Sequence, residues 1–250
     1  MVEEIKTKVN WFEEWFDTPY YHILYKHRDD KEANTFIDNL VNKIKISKQN
    51  KVLDVACGKG RFAKYISQKG IEVVGVDISP YNIASASLLS NDLLTFVQGD
   101  MRQMNYDQEF DFVLNMFTSF GYFDCEGDNL KAILSMAKAL KPNGTLLLDF
   151  FNTEKVLREL PCDHSLLIDG IDFQIEKKII GKYIIKNISI FDNGKIFQFQ
   201  EKVQSLTKDD FIQYFSEAGL SNIKIFGNYH FDVWNKDSER TIFVATKNMD

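Results

Sequence analysis

Cysteine is scarce in this chain, three in 250 residues, and Cys57, Cys125 and Cys162 show no CxxC spacing. That excludes a disulfide framework and a zinc knuckle and suits a reducing compartment. Histidine is nearly as rare. His22, His27, His164 and His230 lack the spacing of metal ligands, so no metal is expected. Basic charge is in deficit, with 30 Lys and Arg against 36 Asp and Glu and a formal net charge of −6. A nucleic-acid binder needs a cationic face to replace phosphate counterions, which argues against DNA or RNA. No run reaches the ~18 apolar residues of a spanning helix. The N-terminal Met-Val-Glu-Glu has neither the basic start nor the apolar run of a secretory signal. What is present is 44% hydrophobic residues, enough to bury a core. The expectation is a cytoplasmic protein of one large domain, or one domain carrying an inserted module.

Strand and helix signals alternate along the chain. Residues 1–47 read as helical in two or three pieces, the first half dominated by Trp11, Phe12, Trp15, Phe16, Tyr20, Tyr21 and Tyr25. Pro19 after Asp17-Thr18 predicts a helix start, and Phe36, Leu40, Val41 and Ile44 recur at helical spacing. Apolar segments at 52–56, 71–76, 94–97, 110–116 and 145–151 are separated by helical stretches. That pattern predicts a parallel sheet buried on both faces. Beyond residue 165, period-two alternation at 173–180, 183–191 and 196–203, with Gly181-Lys182 and Asn193-Gly194 as turns, predicts an antiparallel meander. Thr207 with Asp210 then caps a helix, and strands near 223–226 and 241–246 complete the sheet.

The chemistry gathers where the first four strands end, the edge at which open α/β sheets bind ligands. Asp54-Val55-Ala56-Cys57-Gly58-Lys59-Gly60 places an acid near a strand end, then small residues and two glycines that let the backbone turn tightly and approach a ligand. Gly58-x-Gly60-x-x-Ala63 also fits a relaxed dinucleotide fingerprint, and a plain strand-to-helix turn fits too. Asp77 ends the second strand, where a carboxylate can accept from vicinal ribose hydroxyls or cap the helix beginning at Ser79. Asp100, between Gly99 and Met101, stands where an adenine amino group can donate, or is a turn aspartate. The fourth strand opens into Asn115-Met116-Phe117-Thr118-Ser119-Phe120-Gly121-Tyr122, a loop of aromatic and small residues.

Taken in order, Val52-Leu53-Asp54-Val55-Ala56-Cys57-Gly58-Lys59-Gly60-Arg61, Val74-Gly75-Val76-Asp77-Ile78-Ser79, Gly99-Asp100-Met101 and Leu140-Lys141-Pro142-Asn143-Gly144-Thr145 resemble the motifs of class I S-adenosylmethionine-dependent methyltransferases. Within that family, Tyr21-x-x-x-Tyr25-x-x-Arg28 and Met116–Tyr122 resemble small-molecule enzymes, particularly aminosugar N,N-dimethyltransferases, which commonly carry His where this chain has Tyr122. The resemblance implies an α/β, Rossmann-like fold: a seven-stranded mostly parallel sheet with helices on both faces and the final strand antiparallel. Together with the alternation beyond residue 165, it divides the chain into an N-terminal helical lid (1–47), the donor-binding domain (48–160 and 206–250) and an inserted meander (161–205) expected as substrate roof or dimer surface. It also implies that Asp54 takes the donor's amino group, Asp77 its ribose, Asp100 with Met101 its adenine, and Arg28 its carboxylate. Tyr21 and Phe117 would face the sulfonium. Ala56, Cys57, Gly58, Gly60, Ile78, Gly99, Asn115 and Met116 would complete the donor contacts, with Tyr21 and Tyr122 positioning the acceptor.

The expected reaction is methyl transfer from S-adenosylmethionine to a small molecule, with an amine favoured and S-adenosylhomocysteine released. No metal, membrane or nucleic acid is implied, and the protein is expected as a monomer or homodimer. DNA amine methyltransferases carry Pro-Pro-aromatic after the fourth strand, where this chain has Met116-Phe117-Thr118. Cys162 follows the fifth strand, the wrong place for a cytosine-type nucleophile. Two alternatives stand beside this reading. A nicotinamide-dependent oxidoreductase explains Gly58, Gly60 and Asp77 but not Asp54, Gly99-Asp100 or the loop at 115–122. A non-catalytic nucleotide-binding module leaves the full set of acids without a purpose.

Overall fold

The computed structural model describes residues 15–26, 30–125 and 127–249. Five apolar segments form the parallel strands β1 (Lys51–Val55), β2 (Glu72–Asp77), β3 (Leu94–Gln98), β4 (Phe110–Asn115) and β5 (Leu140–Phe151). Helices α1 (Pro19–Leu24) and α2 (Asp30–Ile44) precede them, and α3 (Arg61–Ser67), α4 (Pro80–Ser87) and α5 (Asp128–Ala139) connect them. Local chemistry sets the helix starts. Thr18 Oγ1 accepts from the Tyr21 N–H ahead of α1, and Ser79 Oγ accepts from the Asn82 N–H ahead of α4, each followed by proline.

Alternate residues of one strand feed opposite faces, which is why the strands read as unbroken apolar runs. Val52, Phe112 and Leu147 pack with Phe36 and Leu40 of α2 and Ile66 of α3. Leu53, Val113 and Leu146 pack on the other face with Met136 of α5. There they meet Phe211 and Phe215 of α7 (Lys208–Glu217), which begins with a reciprocal Thr207–Asp210 capping box. The strands β10 (Leu220–Phe226) and β11 (Arg240–Lys247) close a seven-stranded sheet of order β10-β11-β5-β4-β1-β2-β3, in which β11 runs against both neighbours. Strand order reverses between β1 and β4, so a crevice opens at their carboxyl ends.

After β5 come a short helix α6 (Thr153–Glu159) and a four-stranded antiparallel sheet of β6 (Cys162–Ile168), β7 (Ile171–Ile180), β8 (Tyr183–Asp192) and β9 (Lys195–Gln204). The alternation in the sequence picks out only three of these strands. β6 is missed because most of it is exposed, so its side chains follow no inside–outside rhythm; it joins β7 through Asp169-Gly170, both left-handed. One face of this sheet is a second core, where Phe173, Ile175, Ile188 and Ile190 pack with Trp15 and Leu24. The aromatic segment Trp15–Tyr25 is thus core to the small sheet, while α2 belongs to the large one. Among the described residues, no helix is long and apolar enough to cross a membrane.

Candidate functional site

A cavity of about 620 Å³ occupies the crevice predicted by the strand reversal, a volume ordinary for a small-molecule site. Its floor begins at the β1 turn. Ala56, Gly58 and Gly60 all have positive φ, at 59°, 55° and 76°. A Cβ built on Gly58 would meet no atom within 4 Å, so this backbone faces open space. One built on Gly60 would lie 2.4 Å from the Phe96 ring, so that glycine is required by packing. Asp54 is buried beneath the turn, and its Oδ2 has no hydrogen-bond partner. Burial, with Asp77 nearby, pushes its carboxyl group up to about 8, so it holds its proton at neutral pH. Burial also pushes the Cys57 thiol upward, which leaves no thiolate nucleophile there.

Asp77 ties the floor together. Its Oδ2 accepts the Gly58 N–H at 2.8 Å and its Oδ1 the Ser79 N–H at 2.9 Å, while burial raises its carboxyl group above the ordinary range. Asp100 behaves oppositely. Burial works to raise it, but Arg102 grips both oxygens, with Nη2 at 2.5 Å, and holds it below the usual carboxylate range. Arg102 also reaches Asp128 at 2.7 Å.

The loop after β4 forms one wall. Phe117 and Thr118 are consecutive left-handed non-glycine residues, at φ 58° and 60°, each costing about 1–2 kcal/mol locally. Fully buried Asp149 of β5 compensates. Its Oδ2 accepts the Phe117 N–H at 2.9 Å and the Tyr229 hydroxyl at 3.1 Å, and its backbone oxygen accepts the Thr118 N–H. Arg240 of β11 donates from Nε to Asp149 Oδ1 at 2.8 Å and from Nη2 to Thr118 Oγ1 at 2.9 Å. So held, the Phe117 ring stacks on Phe62 at 4.8 Å and faces the cavity. The roof comes from the N-terminal segment. Tyr21 lies 4.9 Å from Phe16 and 5.0 Å from Tyr25, and Phe16 lies 5.7 Å from Tyr122, ring to ring, and all four line the cavity. The Tyr122 hydroxyl donates to the Thr118 carbonyl oxygen.

A family described as "Methyltransferase domain" matches residues 52–144, the stretch from β1 into β5. The putative methyltransferase YqeM of Bacillus subtilis is 26% identical over 212 residues, covering 81% of this chain and 86% of that protein. The solved structure of SAM-bound CalS10, an amino pentose methyltransferase from Micromonospora echinaspora, superposes with a TM-score of 0.71 at 20% identity, covering 92% of this chain and 98% of that one. The chain is an S-adenosylmethionine-dependent methyltransferase. A glycine/sarcosine N-methyltransferase of Parasynechococcus marenigrum is 29% identical over 194 residues, covering 74% of this chain and 68% of that protein.

The methyltransferase cavity fits its donor by two features: an orphaned carboxylate oxygen at Asp54 and a glycine backbone opening on empty space. Most residues expected at the site meet there. From the strand ends come Asp54, Ala56, Cys57, Gly58, Asp77 and Ile78, and beyond them Gly99, Asp100, Met101, Met116 and Phe117; Tyr21 and Tyr122 close the other side. Gly60 and Asn115 lie behind the wall instead. Gly60 accommodates Phe96, and buried Asn115 donates from Nδ2 to the Val55 oxygen at 3.1 Å, stapling β4 to β1. Arg28 lies outside the described residues. None of the lining residues comes from 161–205, so the meander stands behind the aromatic roof instead of forming it. Asp149, Arg240 and Tyr229 were not anticipated. The signal on offer was an acid inside the apolar run Leu146-Leu147-Leu148-Asp149-Phe150-Phe151. His22, which lines the cavity from α1, offered no signal.

Proposed function

We propose that this methyltransferase methylates the nitrogen of a small amine. The aromatic roof carries the reading: Phe16, Tyr21, Tyr25 and Tyr122 cluster around the cavity that the strand-end acids also line. Aromatic faces stabilise a cation by about 0.5–2 kcal/mol each, which suits a site where a sulfonium and an amine meet. The N-methyltransferase among the relatives supports the same reading.

S-adenosylmethionine supplies an electrophilic methyl group carried on sulfur. The chain's own residues bind and orient. Asp54 receives the donor's ammonium, which ionises the buried carboxyl group and partners its free oxygen. Asp77 turns its remaining lone pairs to the ribose hydroxyls, and Asp100 with Met101 holds the adenine edge. Ala56, Cys57 and Gly58 offer backbone to the methionine portion, Ile78, Gly99 and Met116 wall the donor, and Arg28 takes its carboxylate. Tyr21 and Phe117 exclude water around sulfur, and Tyr122 orients the acceptor. Because the displacement is in-line, positioning and desolvation supply much of the rate; well-oriented groups remove about 7–11 kcal/mol of barrier.

Calorimetry with S-adenosylmethionine, S-adenosylhomocysteine and NAD tests the donor, and only the first two are expected to bind. A screen of amines, aminosugars and carboxylates for S-adenosylhomocysteine release tests the acceptor. Turnover confined to carboxylates would replace N- with O-methylation.

A further inference from the structure

His22 of α1 is among the residues that line the cavity, its ring 5.3 Å from that of Tyr21. Its Nε2 is buried and has no hydrogen-bond partner. Buried polar atoms are ordinarily partnered by protein, water or ligand. Among the described residues, Lys59 from the β1 turn and Asp17 from its own segment act on this ring. Burial first, then Lys59, hold the imidazole below its ordinary range against the opposing pull of Asp17, so it is neutral at neutral pH.

The other described titratable groups of the cavity are poorly placed to take a proton. Asp54 already carries one and is assigned to the donor's ammonium. Asp77 accepts two backbone N–H groups, Asp100 is gripped by Arg102, and Lys26 is paired with Asp169 at 2.9 Å. Cys57 stays a thiol. Phenol hydroxyls and guanidinium or ammonium groups do not accept protons at neutral pH.

Resting on the N-methylation reading above, we propose that His22 is the general base that deprotonates the acceptor amine. A protonated amine has no lone pair. One N–H bond breaks and its proton passes to the unprotonated ring nitrogen of His22. The freed pair forms the bond to the methyl carbon as the carbon–sulfur bond breaks, its electrons staying on sulfur. The imidazolium then returns its proton to solvent as the products leave.

The first test needs no acceptor. The ring nitrogens of the intact protein are titrated by NMR, with the His22 signal assigned through His22→Asn. The midpoint is expected below the ordinary value of about 6.5; a midpoint above about 7 would leave a cation at neutral pH and overturn the assignment. Turnover is then measured as S-adenosylhomocysteine release with glycine, sarcosine and an amino-sugar nucleotide as probes. His22→Asn and His22→Ala are expected to lose about 10²–10⁴-fold in kcat near neutral pH. Their S-adenosylhomocysteine affinity should stay within about threefold, and their rate should recover as pH rises toward ionisation of the free amine. A wild-type pH profile in His22→Asn overturns the role, as does a parallel loss of product affinity and turnover, which would make His22 part of the donor site. If the unmodified protein binds S-adenosylhomocysteine yet methylates none of the amines, the N-methylation reading fails and this role falls with it.

Discussion

Asp54 is where burial and chemistry oppose each other most directly. Its carboxyl group is pushed up to about 8, while an aspartate in an unfolded chain ionises near ~3.9. Between those values the folded protein keeps a proton that the unfolded chain has released, so stability falls as pH rises through the window. Asp54→Asn, neutral at every pH, should lack that part of the fall. Urea unfolding at about pH 5 and about pH 8 measures it, and the wild type is expected to lose ground to the variant at the higher pH. Donor-site binding carries the opposite sign, since the ammonium of S-adenosylhomocysteine favours the ionised carboxylate. The wild type should release a proton on binding near neutral pH. The variant should release none and bind about tenfold or more weakly, given about 1.5–3 kcal/mol for a charge-assisted bond. Calorimetry in buffers of different ionisation enthalpy reads both effects. Asp77 behaves differently. Its carboxylate already holds the Gly58 and Ser79 N–H groups, so Asp77→Ala should weaken S-adenosylhomocysteine binding and also cost about 1–3 kcal/mol of stability. A melting curve superimposable on the wild type would show that the β1 turn holds its shape without it.

At the scale of elements, two left-handed residues after β4 depend on an ion pair between strands far apart in the chain. Arg240 and Asp149 are both buried or nearly so, and removing one partner of such a pair leaves an uncompensated charge, at about 3–5 kcal/mol. Arg240→Ala should therefore lower stability by that amount and weaken donor binding by releasing Phe117. Tyr229→Phe, which keeps the ring against Phe36 and Phe117 and removes one bond to Asp149, should cost about 1–3 kcal/mol. Chemical denaturation of the two variants separates these outcomes; equal small losses would mean that the loop holds its conformation unaided. The same contrast marks what a sequence discloses. Strands β1 to β5 and the acids at their ends were legible because burial on two faces writes an unbroken apolar run, and because turn chemistry is local. The meander was legible where one face is buried, as in β7 and β8, and illegible in exposed β6. The resemblance implies a donor contact for Asn115, yet a place at a strand end does not tell which way a side chain packs, and its Nδ2 turns to the Val55 oxygen. The Asp149–Arg240 pair joins residues 91 positions apart, beyond the reach of any local pattern.

At the scale of the whole molecule, the N-terminal segment bridges the two sheets, and its hydrogen bonds are unevenly divided. On the small sheet, Glu201 Oε1 accepts from Trp15 Nε1 and from the Tyr25 hydroxyl, both at 2.8 Å. Lys186 donates to that hydroxyl at 2.6 Å and lies 3.5 Å from Glu201 Oε2. Tyr20 donates to Asp192 at 2.9 Å. Toward the large sheet, Ser79 donates to Asp17 at 2.6 Å, beside the end of β2. The aromatic roof is therefore carried by the meander and presented to a cavity built by the other sheet, which gives the insertion a supporting function although it supplies no lining residue. Glu201 is the central acceptor of that attachment. Replacing it with alanine strands the Trp15 N–H in a partly buried setting, at about 1–3 kcal/mol, and takes one partner each from the Tyr25 hydroxyl and the Lys186 ammonium, which keep their bond to each other. Glu201→Ala should loosen residues 15–26 while the seven-stranded sheet, which shares none of these bonds, stays folded. Limited proteolysis is expected to cut the variant faster in that segment, and S-adenosylhomocysteine should slow the cut in both proteins by giving Tyr21 a second surface to pack on. If cleavage is unchanged by the substitution, the aromatic core around Phe173 and Ile188 holds the segment alone. If it is unchanged by S-adenosylhomocysteine, the roof is fixed before the donor arrives and closes over nothing.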